Sequence, residues 1–325
     1  MVAHAGIFNT GVDPHIRQID PWRDGRAVAN LLESSFREEI IDEGGARMLN
    51  QLRNYGVFEA LSFGFGTGFV WVEEGEVVAN ASVQRNLTRR DTWMIGNVAT
   101  RADMRNRGIG CAVMDACIQH ATRKGASVLA LQADTHNKPA LHLYEKAGFA
   151  RVGEVTHYLR PNARQTEVEM SDSTDAPIRT ARWADRAAVW ALAQLNIPEE
   201  ITYAESFDSS LYRLGFRWSL TNTLNGNPEQ WHVLHANMQV AGAVRTRANI
   251  EGSSHHLELM LDDGATREDG MALIERGLTR LERYISKPVY AAQSLPHMPT
   301  HDALLATGFA SKRTLVHMRL ATADV

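Results

Sequence analysis

Val98-Ala99-Thr100-Arg101-Ala102-Asp103-Met104-Arg105-Asn106-Arg107-Gly108-Ile109-Gly110 joins an expected strand to an expected helix. Its glycines let the backbone approach a ligand closely and take conformations closed to other residues. Backbone N–H groups at a helix start lack intrahelical partners and face outward. They make a site for a phosphate or pyrophosphate, and Arg105 and Arg107 add positive charge at its rim. Taken alone, a glycine pair reads as no more than a tight strand-to-helix turn. A dinucleotide-binding turn does not fit. It calls for Gly-x-Gly-x-x-Gly directly after a first strand and an acidic residue about 20 positions on, and here Val113 stands where the third glycine would be.

Outward from this stretch, the pattern predicts strands near 15–19, 68–73, 77–85 and 92–100, with Gly75 marking a hairpin turn. Helices are predicted over 22–35 and 45–61. A further helix is predicted over 108–124, with Ile109, Val113, Ala116 and Cys117 at helical spacing and Gly125 at its end. Val128 to Ala133 reads as a central strand. A short helix over 138–147 has Asn137 as N-cap, Pro139 in its first turn and Gly148 beyond its end. A last strand covers 149–159. Strands alternate with helices, so the fold class is α/β with a mixed sheet.

The short helix reads Asn137-Lys138-Pro139-Ala140-Leu141-His142-Leu143-Tyr144-Glu145-Lys146-Ala147-Gly148-Phe149. In order and spacing, the Arg-x-x-Gly-x-Gly loop and this Asn…Leu-Tyr-Glu-Lys-x-Gly-Phe helix together resemble the GNAT superfamily of N-acetyltransferases. The detailed resemblance covers about 92–160. It implies that Arg105, Asn106, Arg107, Gly108, Ile109 and Gly110 hold the pyrophosphate of acetyl-coenzyme A. It implies that Val98, Ala99 and Thr100 line the pantetheine arm where the strand diverges from its neighbour, and that the Val98 N–H polarises the thioester carbonyl. Tyr144 would protonate the leaving thiolate, whose pKa near 8.5 makes it a poor anion to release. Packing against Leu141 is the plainer reading of Tyr144. Asn137 would contact the coenzyme, cap the helix, or do both.

The base is less defined. Many members of that superfamily carry a carboxylate on the strand before the loop, but Thr92-Trp93-Met94-Ile95-Gly96-Asn97 has none. Asp91, Asp134, a water chain and an amine arriving neutral all stay open. Glu38, Glu39, Asp42 and Glu43 lie where the superfamily admits its acceptor, and read equally as a solvated helix end. The implied reaction is direct acetyl transfer to a primary amine in a ternary complex, with a small-molecule or peptide acceptor. The alternative is a non-catalytic acyl-coenzyme A sensor. His4, His120, His136 and His142 have no metal-ligand spacing, so no metal is expected.

The chain then begins again. His15-Ile16-Arg17 with Trp22-Arg23-Asp24 is echoed by Pro177-Ile178-Arg179 with Trp183-Ala184-Asp185, and Gly148-Phe149-Ala150 by Gly308-Phe309-Ala310. The offset stays at about 160 to 162 residues, the mark of a duplicated domain rather than a short repeat. We therefore expect a catalytic domain over 1–161, a Ser/Thr-rich acidic linker over 162–176 and a second domain over 177–325. With Gly110 laid over Gly270, Arg105 falls on Ala265 and Gly108 on Glu268, followed by Asp269; Tyr144 falls on Leu304 and Asn137 on His297. The second domain is thus expected to be degenerate and to bind no coenzyme A.

Length and composition agree. The 325 residues suit two domains of about 150. The 44% hydrophobic and 22% charged residues are ordinary for a soluble globular protein. With a net charge of −4 and basic residues spread along the chain, neither nucleic acid nor membrane is an expected partner, and a homodimer is left open. No apolar run of about 18 residues occurs, and without a basic region followed by an apolar stretch near Met1 no signal peptide is expected. Cys111 and Cys117 lie six apart on one helix, and two thiols without a disulfide framework fit a cytoplasmic location.

Overall fold

In the computed structural model, the described residues are 13–35, 67–164, 178–204, 212, 227–236, 239–250, 252–294 and 298–324. The predicted helix at 45–61, the acidic group Glu38, Glu39, Asp42 and Glu43, most of the linker and His297 lie outside them. The described chain forms β1 (Ile16–Gln18), α1 (Pro21–Ser35), β2 (Gly68–Glu73), β3 (Glu76–Arg85), β4 (Thr92–Thr100), α2 (Ile109–Arg123), β5 (Val128–Asp134), α3 (Lys138–Lys146) and β6 (Ala150–Arg160). It continues through β7 (Ile178–Thr180), α4 (Arg186–Asn196), β8 (Glu229–Ala236), β9 (Gln239–Arg247), β10 (His255–Leu261), α5 (Arg267–Leu281), β11 (Val289–Ser294), α6 (Met298–Ala306) and β12 (Ala310–Ala321).

Two compact units emerge. The first takes in the described residues up to Val152, then Tyr203, Ala204 and the chain from His317; the second takes in Gly153–Thr202 and the described residues from 212 to Val316. These units do not coincide with a division at 161 and 177, because a strand goes with the edge that takes its backbone bonds. β6 pairs antiparallel with β11, from Val289↔Arg160 to Ser294↔Val155. At the other end of the chain the Thr322 N–H and hydroxyl donate to the Ser127 and Ala126 carbonyls, at 3.0 and 2.7 Å.

In the first unit the strand order β1-β2-β3-β4-β5 is antiparallel except for parallel β4–β5. α1 buries Val28, Ala29, Leu31 and Leu32 against Ile19, Val70 and Ala99. α2 turns Val113 and Cys117 inward, and burial pushes the Cys117 thiol far up, so it is an inert packing group. In the second unit the order β6-β11-β10-β9-β8-β7 is antiparallel except for parallel β10–β11. α5 buries Leu273, Ile274, Leu278 and Leu281 in its core.

The offset echoes are structural repeats. Arg17 grips Asp24 with both terminal nitrogens (2.6 and 2.9 Å), and Arg179 grips Asp185 in the same way (2.7 and 2.8 Å). Gly148 and Gly308 take φ of 92° and 82°, and the phenylalanine after each donates to the carbonyl of Tyr144 or Leu304. This left-handed glycine stop closes α3 and α6 alike.

Candidate active site

β4 does not run straight. Its register with β3 passes from Ser82↔Gly96 to Asn80↔Ala99, so Asn97 and Val98 together oppose Ala81. This is a β-bulge, and its first residue, Asn97, takes φ 54°. Glycine usually fills such a place, and asparagine is among the few other residues that tolerate it. Side chains from β3 satisfy the disturbed peptide groups. Asn80 Nδ2 donates to the Asn97 carbonyl at 2.7 Å and Ser82 Oγ to the Gly96 carbonyl at 2.9 Å, while Asn97 Nδ2 donates to Ser82 Oγ at 2.9 Å. Asn80 and Ser82 are buried, and Asn80 Oδ1 has no hydrogen-bond partner.

The other side of β4 opens. Its parallel pairing with β5 covers Thr92↔Val128, Trp93↔Leu129 and Met94↔Ala130 and goes no further. Beyond Met94 the two strands diverge, with Val98, Ala99 and Thr100 along the gap on β4. Asp134 closes β5 on the far side of this gap, four residues beyond Ala130, the last to pair with β4. Asp91 sits at the opposite end of β4, roughly 20 Å from Val98 at ~3.3 Å per residue.

The loop after β4 is braced by Arg101, which pairs with Glu76 and Asp103 at 2.8 and 2.7 Å. Arg105 Nε donates to the last β4 carbonyl, Thr100, at 3.2 Å, and Arg107 lies 3.3 Å from Glu73. Asn106 and Gly108 both take left-handed conformations, φ 61° and 79°. Gly108 is the N-cap of α2. It gives no side-chain cap, no acidic residue occupies the first turn, and a Cβ there would meet nothing within 4 Å. Since Ala112 donates to the Gly108 carbonyl at 3.0 Å, the N–H groups of Ile109, Gly110 and Cys111 precede the helical ladder and have no acceptor within the helix. The residues fit a pyrophosphate: bare donors, open space and two arginines at the rim.

Gly110 is where the pieces meet. A Cβ on it would come within 3.0 Å of Leu143 Cδ1 and 3.5 Å of Thr100 Oγ1, so β4, α2 and α3 converge there. Tyr144 follows Leu143. It is 7% exposed, and burial raises its hydroxyl to about 12, so it stays protonated through the neutral range. Asn137 caps α3, its Oδ1 accepting from Ala140 N–H at 3.2 Å, which leaves its Nδ2 for other partners. Asp134 Oδ1 accepts from His136 N–H at 2.7 Å.

Two parts of this region escaped the sequence reading. The Asn80–Ser82–Asn97 web left a trace, two polar residues spaced by two within an apolar strand. The other part is Tyr203–Ala204, which groups with the first unit although it lies more than a hundred residues away. Asn86 Nδ2 donates to the Tyr203 carbonyl (3.2 Å), Arg89 and Arg319 stack over the Tyr203 ring (4.3 and 5.3 Å), and Gln132 of β5 donates to the Ala204 carbonyl (3.5 Å). No local signal marks such a visit.

Residues 26–149 match the model of the acetyltransferase (GNAT) family. An uncharacterised N-acetyltransferase of Methanocaldococcus jannaschii is 29% identical over 86 residues, 26% of this chain and 38% of that protein, so the match spans well under half of the relative. The fold resembles a GCN5-related N-acetyltransferase from Sphaerobacter thermophilus, at 15% identity and a TM-score of 0.62 over 96% of this chain and 97% of that one. It also resembles a tandem GNAT protein from the clavulanic acid biosynthesis pathway, at 14% identity and a TM-score of 0.53 over 94% and 98%. Among the described residues no cluster of three or more His, Cys, Asp or Glu could hold a metal, and no helix is long and apolar enough to cross a membrane.

Proposed function

Since the chain carries a GNAT-superfamily acetyltransferase fold, we propose that it transfers an acetyl group from acetyl-coenzyme A to a primary amine at a single site in the first unit. The observation that carries the reading is the bare start of α2, with Gly108 left-handed and uncapped beside Arg105 and Arg107. The N–H groups there hold the pyrophosphate, and the gap beyond Met94 takes the pantetheine arm. The Val98 N–H polarises the thioester carbonyl, a fixed donor aimed at developing negative charge. The amine attacks directly in the ternary complex, and Tyr144, protonated at neutral pH, gives its proton to the departing thiolate.

Of the two carboxylates considered as base, Asp134 is supported by its place at the end of β5 that flanks the gap, whereas Asp91 stands at the opposite end of β4. Asp134 accepts the amine's proton directly or through water. The second unit serves as scaffold without coenzyme, and two free thiols suit the cytoplasm. The test is a panel of small-molecule and peptide amines, scored by free thiol released from acetyl-coenzyme A, beside a calorimetric titration. Thiol release that depends on an amine, with one equivalent bound per chain, is expected. Binding without release for any amine would leave a sensor, and two equivalents would overturn the single site.

A further inference from the structure

β3 and β9 invite a residue-by-residue comparison. The hairpins β2–β3 and β8–β9 carry the same irregularity, after Trp71 in one and after Leu234 in the other. Matching these sets Ala79 on Gly242, Asn80 on Ala243 and Ser82 on Arg245. Their partners follow: Gly96 falls on Glu258 and Ala99 on Met260. The spacing is 162 residues at the first of these and 161 at the second, so β10 is one residue shorter. The residue it lacks is the bulge, and its ladder with β9 runs unbroken from His256↔Arg247 to Leu261↔Gly242.

The unit without the web thus has no bulge, and its sheet forms nonetheless. The bulge is not a requirement of the fold. It also carries a penalty, because it buries Asn80 completely with Oδ1 unpartnered. We propose that Asn80 and Ser82 are positioning residues of the transfer step. By taking the Asn97 and Gly96 carbonyls they hold Asn97 left-handed, and the bulge so fixed aims the Val98 N–H into the gap between β4 and β5. The inference rests on the coenzyme site assigned above to the first unit.

The experiment needs no knowledge of the acceptor. Acetyl-coenzyme A labelled with ¹³C at the thioester carbonyl is bound to the full-length protein, and the carbonyl stretch is read by infrared difference spectroscopy. In the unsubstituted protein the stretch falls below its value in solution, because a hydrogen bond weakens the C=O. In Asn80→Ala and Ser82→Ala the fall is largely lost. Coenzyme affinity stays within about threefold, since the α2 start is untouched. Asn97→Gly, which tolerates the left-handed backbone and retains both carbonyl acceptors, keeps the fall and guards against a misfolded alanine variant. A full carbonyl shift in either alanine variant at unchanged affinity overturns the positioning role, as does its loss in Asn97→Gly. Absence of coenzyme binding by the unsubstituted protein would instead overturn the site itself.

Discussion

The helices α2 and α5 hold equivalent places in the two units but begin in opposite ways. Each packs a glycine in its first turn against the following helix: a Cβ on Gly110 would lie 3.0 Å from Leu143, and one on Gly270 2.8 Å from Ala303. At the N-terminus they part. α5 is closed by a capping box, in which Thr266 Oγ1 accepts from Asp269 N–H (3.2 Å) and Asp269 Oδ2 accepts from Thr266 N–H (2.9 Å). Glu268 and Asp269 put negative charge in its first turn, as the helix dipole favours. α2 has neither cap nor charge. With glycine at the N-cap in place of a capping side chain the cost is about a few tenths of a kcal/mol, so the open start is the slightly less stable choice. The contrast teaches that the same helix start can be closed by its own side chains, as in α5, or left with its first donors uncapped, as in α2.

Writing the second unit into the first gives the largest expected effect. Gly108→Glu places a carboxylate where Glu268 stands in the repeat. It should lower coenzyme A affinity more than 100-fold while the protein stays folded, because open space surrounds the added side chain. Leaving φ at 79° adds strain of about 1–2 kcal/mol. Calorimetry with circular dichroism checks both parts, and undiminished affinity in the folded variant removes the site from α2.

Tyr144 against Leu304 is the next contrast, since both carbonyls receive the N–H of the phenylalanine beyond the glycine stop. Tyr144→Phe keeps the ring and its edge contact with Phe149 and removes only the proton donor. The turnover rate should fall about 10²- to 10⁴-fold, with coenzyme affinity nearly unchanged. Because burial raises this hydroxyl to about 12, it adds no alkaline fall to the rate profile below about pH 11. A rate within twofold of the parent, with chemistry limiting, dismisses Tyr144 as the acid.

Removing the cap from α5 asks whether the capping box closes the second unit to coenzyme. Thr266→Ala should destabilise the protein by about 0.5–2 kcal/mol in chemical denaturation and leave one equivalent of coenzyme per chain. A second equivalent would mean that the capping box alone excludes it.

These contrasts were legible in the sequence to different depths. The form of the α2 loop was legible because a left-handed residue at a helix start favours glycine, as at Gly108. The duplication was readable because Arg17–Asp24 and Gly148–Phe149 recur at one offset. The acidic start of α5 was read correctly, but Thr266 as its cap was not, since the helix begins two residues earlier than the repeat of Gly108. The bulge could not be read because it is one extra residue in a strand, visible only when both ladders are laid side by side. The placement of β6 and of Tyr203 depends on pairing across more than a hundred residues, which periodicity does not carry.

The smallest effect concerns the arginine–aspartate grip that both units share. Asp185 is held at about 2 chiefly by its bonds from Arg179, against an opposing push from burial. For Asp24 burial pushes upward most strongly, yet the bonds from Arg17 and the Asp20 N–H bring it below the usual range. A carboxylate whose pKa is lower folded than unfolded stabilises the fold only where it is ionised. Its contribution is complete above the unfolded pKa of about 4 and disappears as the pH falls toward the folded value. The Asp185 grip should therefore weaken between about pH 4 and pH 2 and the Asp24 grip as the pH falls below about 4, and neither should change stability between pH 6 and 8. Asp185→Asn removes the linkage in the second unit, so its stability should fall less steeply below pH 4 than that of the parent. Arg179 is itself about one-third exposed, and solvent screening keeps the difference small. Denaturant midpoints of the two proteins, measured from pH 7 down to pH 2.5, should converge as the pH drops; parallel curves would show that the grip orients β7 and α4 without stabilising them.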